Sequence, residues 1–344
     1  MDAAAPQKCT NIALAIQTTT SYFSAMQGPS PQRQTHRLKV AAAMRRGCTD
    51  APVVPASLPA RIEPLVRARL PREPRAVLFD IYGTLVYSAS GEVGSVAERA
   101  TAVQFAEAFR SSGLGTLDRS ASDQLRSFFF EGIRAEHEEL RRGREGDPAR
   151  LYPEVDIRQI WNRAVSRLPH NGPTLSAERS ELLAACYEAS INPVSPMPNA
   201  RATIEALSSA LILGIVSNAQ FYTRYLFEAC FGRSMDQLGF DPRACAFSYE
   251  HLRAKPDPLL FVGPLAYLRE RGIDSTEVLY VGNDMRNDVA SAASVGCMTA
   301  LFAGDERSLR LREDDPMTRG IIPTTVVDSL GALVGLVRPE EERS

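Results

Sequence analysis

Four short runs along the chain are almost wholly apolar: Ala76–Phe79 (AVLF), Leu211–Val216 (LILGIV), Val278–Val281 (VLYV) and Met298–Phe302 (MTALF). Short runs without polar alternation are what strands covered on both faces look like, and each lies close to a segment of helical period. Strand and helix alternating in this way predict an α/β fold, a doubly wound Rossmann-like parallel sheet. The interval from Ser88 to Pro196 breaks the alternation. Apolar positions there recur at helical spacing over 96–112, 119–143, 155–167 and 176–189, with no strand between them. This predicts a core made of 71–88 and 197–338 and an inserted α-helical cap over 89–196, each of ordinary domain size. Trp161, with Ile157, Ile160 and Val165, is the expected centre of the cap.

The first 70 residues read differently. Residues 1–56 are rich in Ala, Ser, Thr, Gln and Pro and hold no sustained period, and residues 1–70 carry a surplus of basic over acidic side chains. They are expected to be a disordered or leader segment, with Leu58, Ile62, Leu65, Val66 and Leu70 docking on the body as one helix. The rest of the chain is net acidic, within a total of 39 basic and 41 acidic residues. An acidic body argues against extended phosphate-backbone binding and for a small-molecule substrate, with no nucleic acid. No run approaches the roughly 20 apolar residues of a membrane span. The six cysteines are scattered without CxxC spacing, which fits a reducing, cytoplasmic setting, organellar targeting by the basic segment being the alternative. Nothing in the pattern speaks to oligomeric state.

In open α/β sheets a ligand sits beyond the carboxyl ends of the strands, so the polar residues that follow the apolar runs are the candidate chemistry. They are Asp80 with Gly83 and Thr84, then Ser217 and Asn218, then Lys255 with Pro256, and finally Gly282, Asn283 and Asp284 with Asp288. Only three of the basic residues are lysine, and Lys255 is the only one after position 39. In a body that otherwise writes its cations as arginine, a lone ammonium marks a place where a compact point charge is wanted.

Taken in order, these clusters resemble the four motifs of the haloacid dehalogenase superfamily of hydrolases, over roughly residues 74–335. The resemblance implies that Asp80 is a nucleophile that forms a covalent aspartyl intermediate. Ser217 and Asn218 would donate to a substrate oxygen, and Thr84 in the Gly83 turn would help bind the substrate anion. Lys255 would be the cation that lets a charged nucleophile meet a charged substrate. Asp284 and Asp288, four apart at a helix start, would face Asp80 and hold Mg²⁺ together with Asp80, Asn283 and the main-chain carbonyl of Tyr82. Whether Asn283 or Asp284 faces the metal, and whether Asp288 touches it or steers Lys255, stay open.

Phosphatases of the superfamily carry an aspartate acid two residues after the nucleophile, where this chain has Tyr82. The DIYGT motif is similar to the D-x-Y-G-T of the 2-haloacid dehalogenases, which displace halide from carbon without a metal. The GNDMRND loop, and Phe261 where those enzymes have tyrosine, pull the other way. An acidic loop beside a nucleophilic carboxylate is electrostatically costly without a cation. The leading expectation is a Mg²⁺-dependent, phosphatase-like hydrolase of a small phosphorylated metabolite. The alternatives are a metal-independent 2-haloacid dehalogenase and a catalytically weak relative that binds a ligand or partner. In the cap, Ser88 and Ser90 at the hinge are candidate substrate contacts. Arg134, His137 and Arg141 share one helix face and read as a solvated face, and His251 reads as a surface residue.

Overall fold

The computed structural model describes residues 31–89, 100–143, 146, 151–169 and 174–337. Its strands are β1 (Ala76–Phe79), β2 (Val86–Ser88), β3 (Val194–Pro196), β4 (Ile212–Ser217), β5 (Phe240–Phe247), β6 (Val278–Gly282), β7 (Met298–Phe302) and β8 (Thr325–Val327). Six of them form one parallel sheet in the order β5–β4–β1–β6–β7–β8. The four apolar runs are β1, β4, β6 and β7, and every residue of β1 is fully buried. The two strands that left no such run, β5 and β8, lie at the sheet edges. An edge strand tolerates polar residues and proline, and β5 carries Asp241, Pro242 and Arg243.

The helices are α1 (Pro31–Arg45), then α2 (Ala102–Ser111), α3 (Arg119–Gly143), α4 (Ile157–Ser166) and α5 (Ala177–Ile191) in the insertion, then α6 (Ala200–Ser208), α7 (Thr223–Phe231), α8 (Val262–Glu270) and α9 (Leu330–Val337). The four insertion helices fall on the four periodic segments. Their starts are set locally: Thr101 and Gln104 make a capping box, and Asp156 and Ser176 accept from the amides of Arg158 and Arg179. Their buried faces meet in an aromatic cluster of Phe105, Phe129, Trp161 and Tyr187, with ring centroids 4.4 to 5.5 Å apart. The insertion also has an element that its helical pattern hides. β2 and β3 pair antiparallel, Tyr87 opposite Ser195, where the chain leaves and re-enters the core. Three-residue strands are too short to show a period, so only the pairing reveals them.

Residues 40–70 correct the expectation of a disordered leader. Val40, Ala43 and Met44 of α1 are buried in the main hydrophobic core. The chain then runs as an extended strap. Thr49 N donates to the Val194 carbonyl (2.7 Å) and Val194 N to the Gly47 carbonyl (2.8 Å), which adds the strap to β3. Further on, Val54 N donates to Asp305 Oδ1 (2.9 Å), and Arg67 N to the Val326 carbonyl (2.8 Å). Residues 57–70 do not form one helix either. Pro64 opens a three-residue 3₁₀ turn, Glu63–Leu65, while Ile62 packs with Met285, Val289 and Leu301. Proline removes amide donors and blocks helix continuation, so this segment is held by packing and by hydrogen bonds to the body. A strap of that kind has no periodicity for a sequence reading to find. Residues 1–30 lie outside the described residues.

Candidate active site

The parallel sheet brings the carboxyl ends of all its strands to one edge, and β1 lies between β4 and β6, where the strand order reverses. Asp80 follows β1 directly. The chain then turns sharply at Gly83 (φ +87°), where a Cβ would stand 2.5 Å from Asn283 Nδ2. Both the positive φ and the close approach therefore require glycine. Thr84 Oγ1 donates to Asn283 Oδ1 (3.2 Å), and Asn283 Nδ2 donates to the Ser308 carbonyl.

Lys255 is the hub of the site. Its Nζ donates to Asp80 Oδ1 (2.7 Å), Asp288 Oδ1 (2.6 Å) and the Tyr280 hydroxyl (2.7 Å), and the side chain is only 2% exposed. Burial works against the ammonium, but Asp288 and Asp80 outweigh it and hold the Lys255 pKa above its ordinary value. Asp288 is lifted to about 7 by burial, with Lys255 opposing and the charges of Asp80 and Asp284 adding. Asn218 fixes the lysine from behind: its Oδ1 accepts from Lys255 N (2.7 Å) and its Nδ2 donates to the Lys255 carbonyl (3.1 Å). Ser217 Oγ donates to Asp80 Oδ1 (2.9 Å). Both hydrogen bonds to Asp80 thus fall on Oδ1, and Oδ2 is the oxygen available to the cavity that Asp80 lines.

The acidic loop differs from expectation in one respect: Asp284 and Asp288 do not both turn to Asp80. Asp284 caps a π-helical turn, Met285–Ala290, through Oδ1, which accepts from Arg286 N (2.8 Å) and Asn287 N (3.1 Å). Its Oδ2 is gripped by Arg312 through Nε (3.1 Å) and Nη2 (2.8 Å). Asp288 spends its second oxygen on Asp284 N (2.9 Å). Among the described residues no cluster of three or more His, Cys, Asp or Glu stands ready for a metal. A magnesium ion needs less, one or two carboxylates with waters completing its shell. Asp80, the Tyr82 carbonyl and Asn283 are hard oxygen donors of residues that line the cavity, and they fit that modest demand, with the carboxylates of Asp284 and Asp288 lining it beside them.

The cavity above Asp80 has a volume of about 390 Å³. Lys255, Arg286, Arg310 and Arg312 line its core side, and Phe129, Ile133, Ile157, Trp161 and Tyr187 line its cap side. Two carboxyls also line it, Glu188 buried and Glu154 half-buried. Glu188 of α5 accepts from Asn192 Nδ2 (2.8 Å) and the Tyr222 hydroxyl (2.8 Å); Glu154 accepts from Val155 N (2.9 Å) and Ser248 Oγ (2.8 Å). Burial raises the pKa of both. Trp161 and Tyr187 line the same cavity, but Trp161 Nε1 and the Tyr187 hydroxyl are themselves buried and have no hydrogen-bond partner among the described residues, which is costly for a polar atom.

Several expected residues have other duties. Ser217 and Thr84 do not line the cavity and act on Asp80 and Asn283 instead. Tyr82 lines it, but its hydroxyl pairs with Thr223 Oγ1 (2.9 Å), and burial, then Glu188, push the phenol well above its usual pKa. His137 reaches the cavity, whereas Arg134 and Arg141 are exposed and do not, and His251 is exposed. Ser88 Oγ donates to Asn192 Oδ1 (2.7 Å) at the hinge, and Ser90 lies outside the described residues. Sequence reading missed Tyr280, Arg312, Glu154 and Glu188. Only Glu188 left a signal, as a carboxylate in register with Ala184 and Ile191 on the buried side of α5.

The model of the haloacid dehalogenase-like hydrolases matches residues 74–296, about two thirds of the chain. A ribulose-1,5-bisphosphate 5-phosphatase from Halopiger xanaduensis is 27% identical over 171 residues, which are 49% of this chain and 67% of that protein. Among solved structures, a 2-haloacid dehalogenase from Pseudomonas syringae pv. Tomato is 21% identical, covering 77% of this chain and 98% of its own, with a TM-score of 0.46. A HAD phosphatase from Thermococcus onnurineus is 21% identical over 75% of this chain and 95% of its own, with a TM-score of 0.42. At these identities the structural likenesses concern the fold alone.

Proposed function

The chain belongs to the haloacid dehalogenase-like hydrolases, and we propose that within them it is a Mg²⁺-dependent, phosphatase-like hydrolase acting through an aspartyl-phosphate at Asp80. The observation that carries this reading is the cavity. Its 390 Å³, with one lysine and three arginines on the core wall, suits a phosphorylated metabolite and is far roomier than a short haloacid requires. The name of the Halopiger relative, a sugar-bisphosphate phosphatase, supports the same class.

In this mechanism Asp80 Oδ2 attacks phosphorus, the bond to the leaving oxygen breaks, and a phosphorylated carboxylate remains. Lys255 and Ser217 hold Oδ1, so the nucleophile presents one oxygen in one orientation. Water then attacks phosphorus, releasing phosphate and restoring the carboxylate. Bound Mg²⁺ would be held by Asp80, the Tyr82 carbonyl and Asn283, and would offset charge on the phosphoryl oxygens. No acid stands at Tyr82, whose phenol is tied to Thr223. A leaving group that needs a proton draws it from a carboxyl of the cavity wall, Glu154 or Glu188, where burial favours the protonated form. The apolar cap side of the cavity, with Phe129, Ile133 and Ile157, receives the remote, apolar part of the substrate.

A second reading, metal-independent 2-haloacid dehalogenase, is favoured by Tyr82 and by the Arg312 grip on Asp284. One assay separates the two: purified protein with acetyl phosphate, p-nitrophenyl phosphate and 2-chloropropionate, with Mg²⁺ or chelator, beside Asp80→Asn. Phosphate release that requires Mg²⁺ and Asp80 supports the phosphatase, and chloride release that survives chelator overturns it.

A further inference from the structure

The strap and the core bring two cysteines together that lie 182 positions apart. Cys48 Sγ and Cys230 Sγ are 3.2 Å from each other, both half-buried, and both are free thiols. Cys48 stands where the strap joins the hinge: it bridges Val194 at the start of β3, between the paired amides of Thr49 and Val194. Cys230 stands on α7, the core helix whose Thr223 bonds Tyr82. Just before the strap, Arg45 Nη2 at the end of α1 donates to the Glu228 carbonyl of α7 (3.3 Å), and Arg46 Nη2 donates to Cys186 Sγ of cap helix α5 (3.5 Å).

We infer that Cys48 and Cys230 are a disulfide-forming pair, whose closure by a low-molecular-weight disulfide fastens the strap, and with it the cap hinge strand β3, to core helix α7. The chemistry is thiol–disulfide exchange. The Cys48 thiolate attacks oxidised glutathione and expels one glutathione thiolate; Cys230 Sγ then loses its proton, attacks Cys48 Sγ and expels the second. One S–S bond is exchanged for another, the protein gives up two hydrogens, and two reduced glutathiones leave. The roles of the two sulfurs follow from their setting. The hydrogen bond shared with Cys230, with burial opposing and Arg45 assisting, lowers the Cys48 pKa, and the same hydrogen bond, with burial, raises that of Cys230. A partly exposed thiol of lowered pKa beside a second thiol that can resolve it is the arrangement of redox-responsive cysteines.

The test uses the full chain and needs no substrate, so its outcome is independent of the proposed activity. Reduced protein is incubated with oxidised glutathione, digested without reductant and mapped by mass spectrometry. The expected product is a Cys48–Cys230 linked peptide in most molecules, lost on adding dithiothreitol and replaced by a glutathione adduct at the remaining cysteine in Cys48→Ser and in Cys230→Ser. Hydrogen exchange at 86–88 and 194–196 should slow several-fold in the oxidised wild type and stay unchanged in Cys48→Ser treated alike. Glutathione adducts on both cysteines without a link, or linkage of either to Cys9, overturns the pairing. A linked protein whose hinge exchange is unaltered overturns the coupling to the cap.

Discussion

Replacing Lys255 by methionine keeps most of the side-chain volume and removes the charge, so it isolates what the ammonium does. Three hydrogen bonds at 2.6 to 2.7 Å disappear. Asp80 (6% exposed) and Asp288 (2%) are then left facing each other with no cation between them. Stripping one partner from a buried ion pair costs about 3–5 kcal/mol. The lower half of that range applies here, because Asp80 keeps Ser217 and Asp288 keeps the Asp284 amide. Against a typical total of about 5–15 kcal/mol the loss is large, and at roughly 2–4 °C per kcal/mol it lowers the melting temperature by about 6–16 °C. If the cost arises from two unbalanced carboxylates, removing one should relieve it. Asp288→Asn in the Lys255→Met background is therefore expected to recover at least about half of the loss, a coupling within the range that double-mutant cycles resolve. The assay is urea unfolding of the wild type, both single variants and the double variant near neutral pH. A Lys255→Met protein within about 0.5 kcal/mol of wild type, or effects of the two substitutions that simply add, would refute the view of Lys255 as the charge that permits two carboxylates in one buried site.

Two tyrosines on the cavity should respond oppositely to loss of their hydroxyls. Tyr222→Phe strands a buried acceptor on Glu188 and should cost about 1–3 kcal/mol, whereas Tyr187→Phe removes an orphan and should be neutral or stabilising in the same unfolding assay. Burial raises the Glu188 pKa, so the folded chain keeps a proton that the unfolded chain has lost. The contribution of Glu188 to stability is therefore fully present below the unfolded carboxyl value of about 4.3 and is lost as pH rises from there through the folded pKa. Glu188→Gln, which cannot ionise, should gain on wild type across that window in thermal melts, and a constant difference would count against the shift. Tyr82→Asp, which restores an acid beside the nucleophile, should raise turnover of alkyl phosphates by up to about 10²-fold and leave acetyl phosphate, whose leaving group needs no proton, unchanged. Equal gains on both would show that the substitution acts through something other than proton donation.

Much of the fold was legible because burial on both faces is a property of a segment by itself. β1, β4, β6 and β7 show it as unbroken apolar runs, and the insertion helices show their single buried face as a period. Edge strands β5 and β8, the hinge pair β2–β3 and the strap carry no such imprint, since what holds them is the element alongside. At the site, Asp80 and Lys255 could be picked out from order along the chain and from the scarcity of lysine. The choice of partners could not. Asp284 goes to Arg312 rather than to Asp80, Ser217 donates to Asp80, and Glu188 lines the cavity from the cap.

The sequence by itself thus determined the layered sheet, the inserted cap and the residues that can carry charge chemistry, because each rests on pattern within a segment. Which carboxylate meets which cation, and that Cys48 lies against Cys230, were decided by tertiary structure, because such pairings depend on distances of a few ångströms between segments whose spacing along the chain encodes none of them.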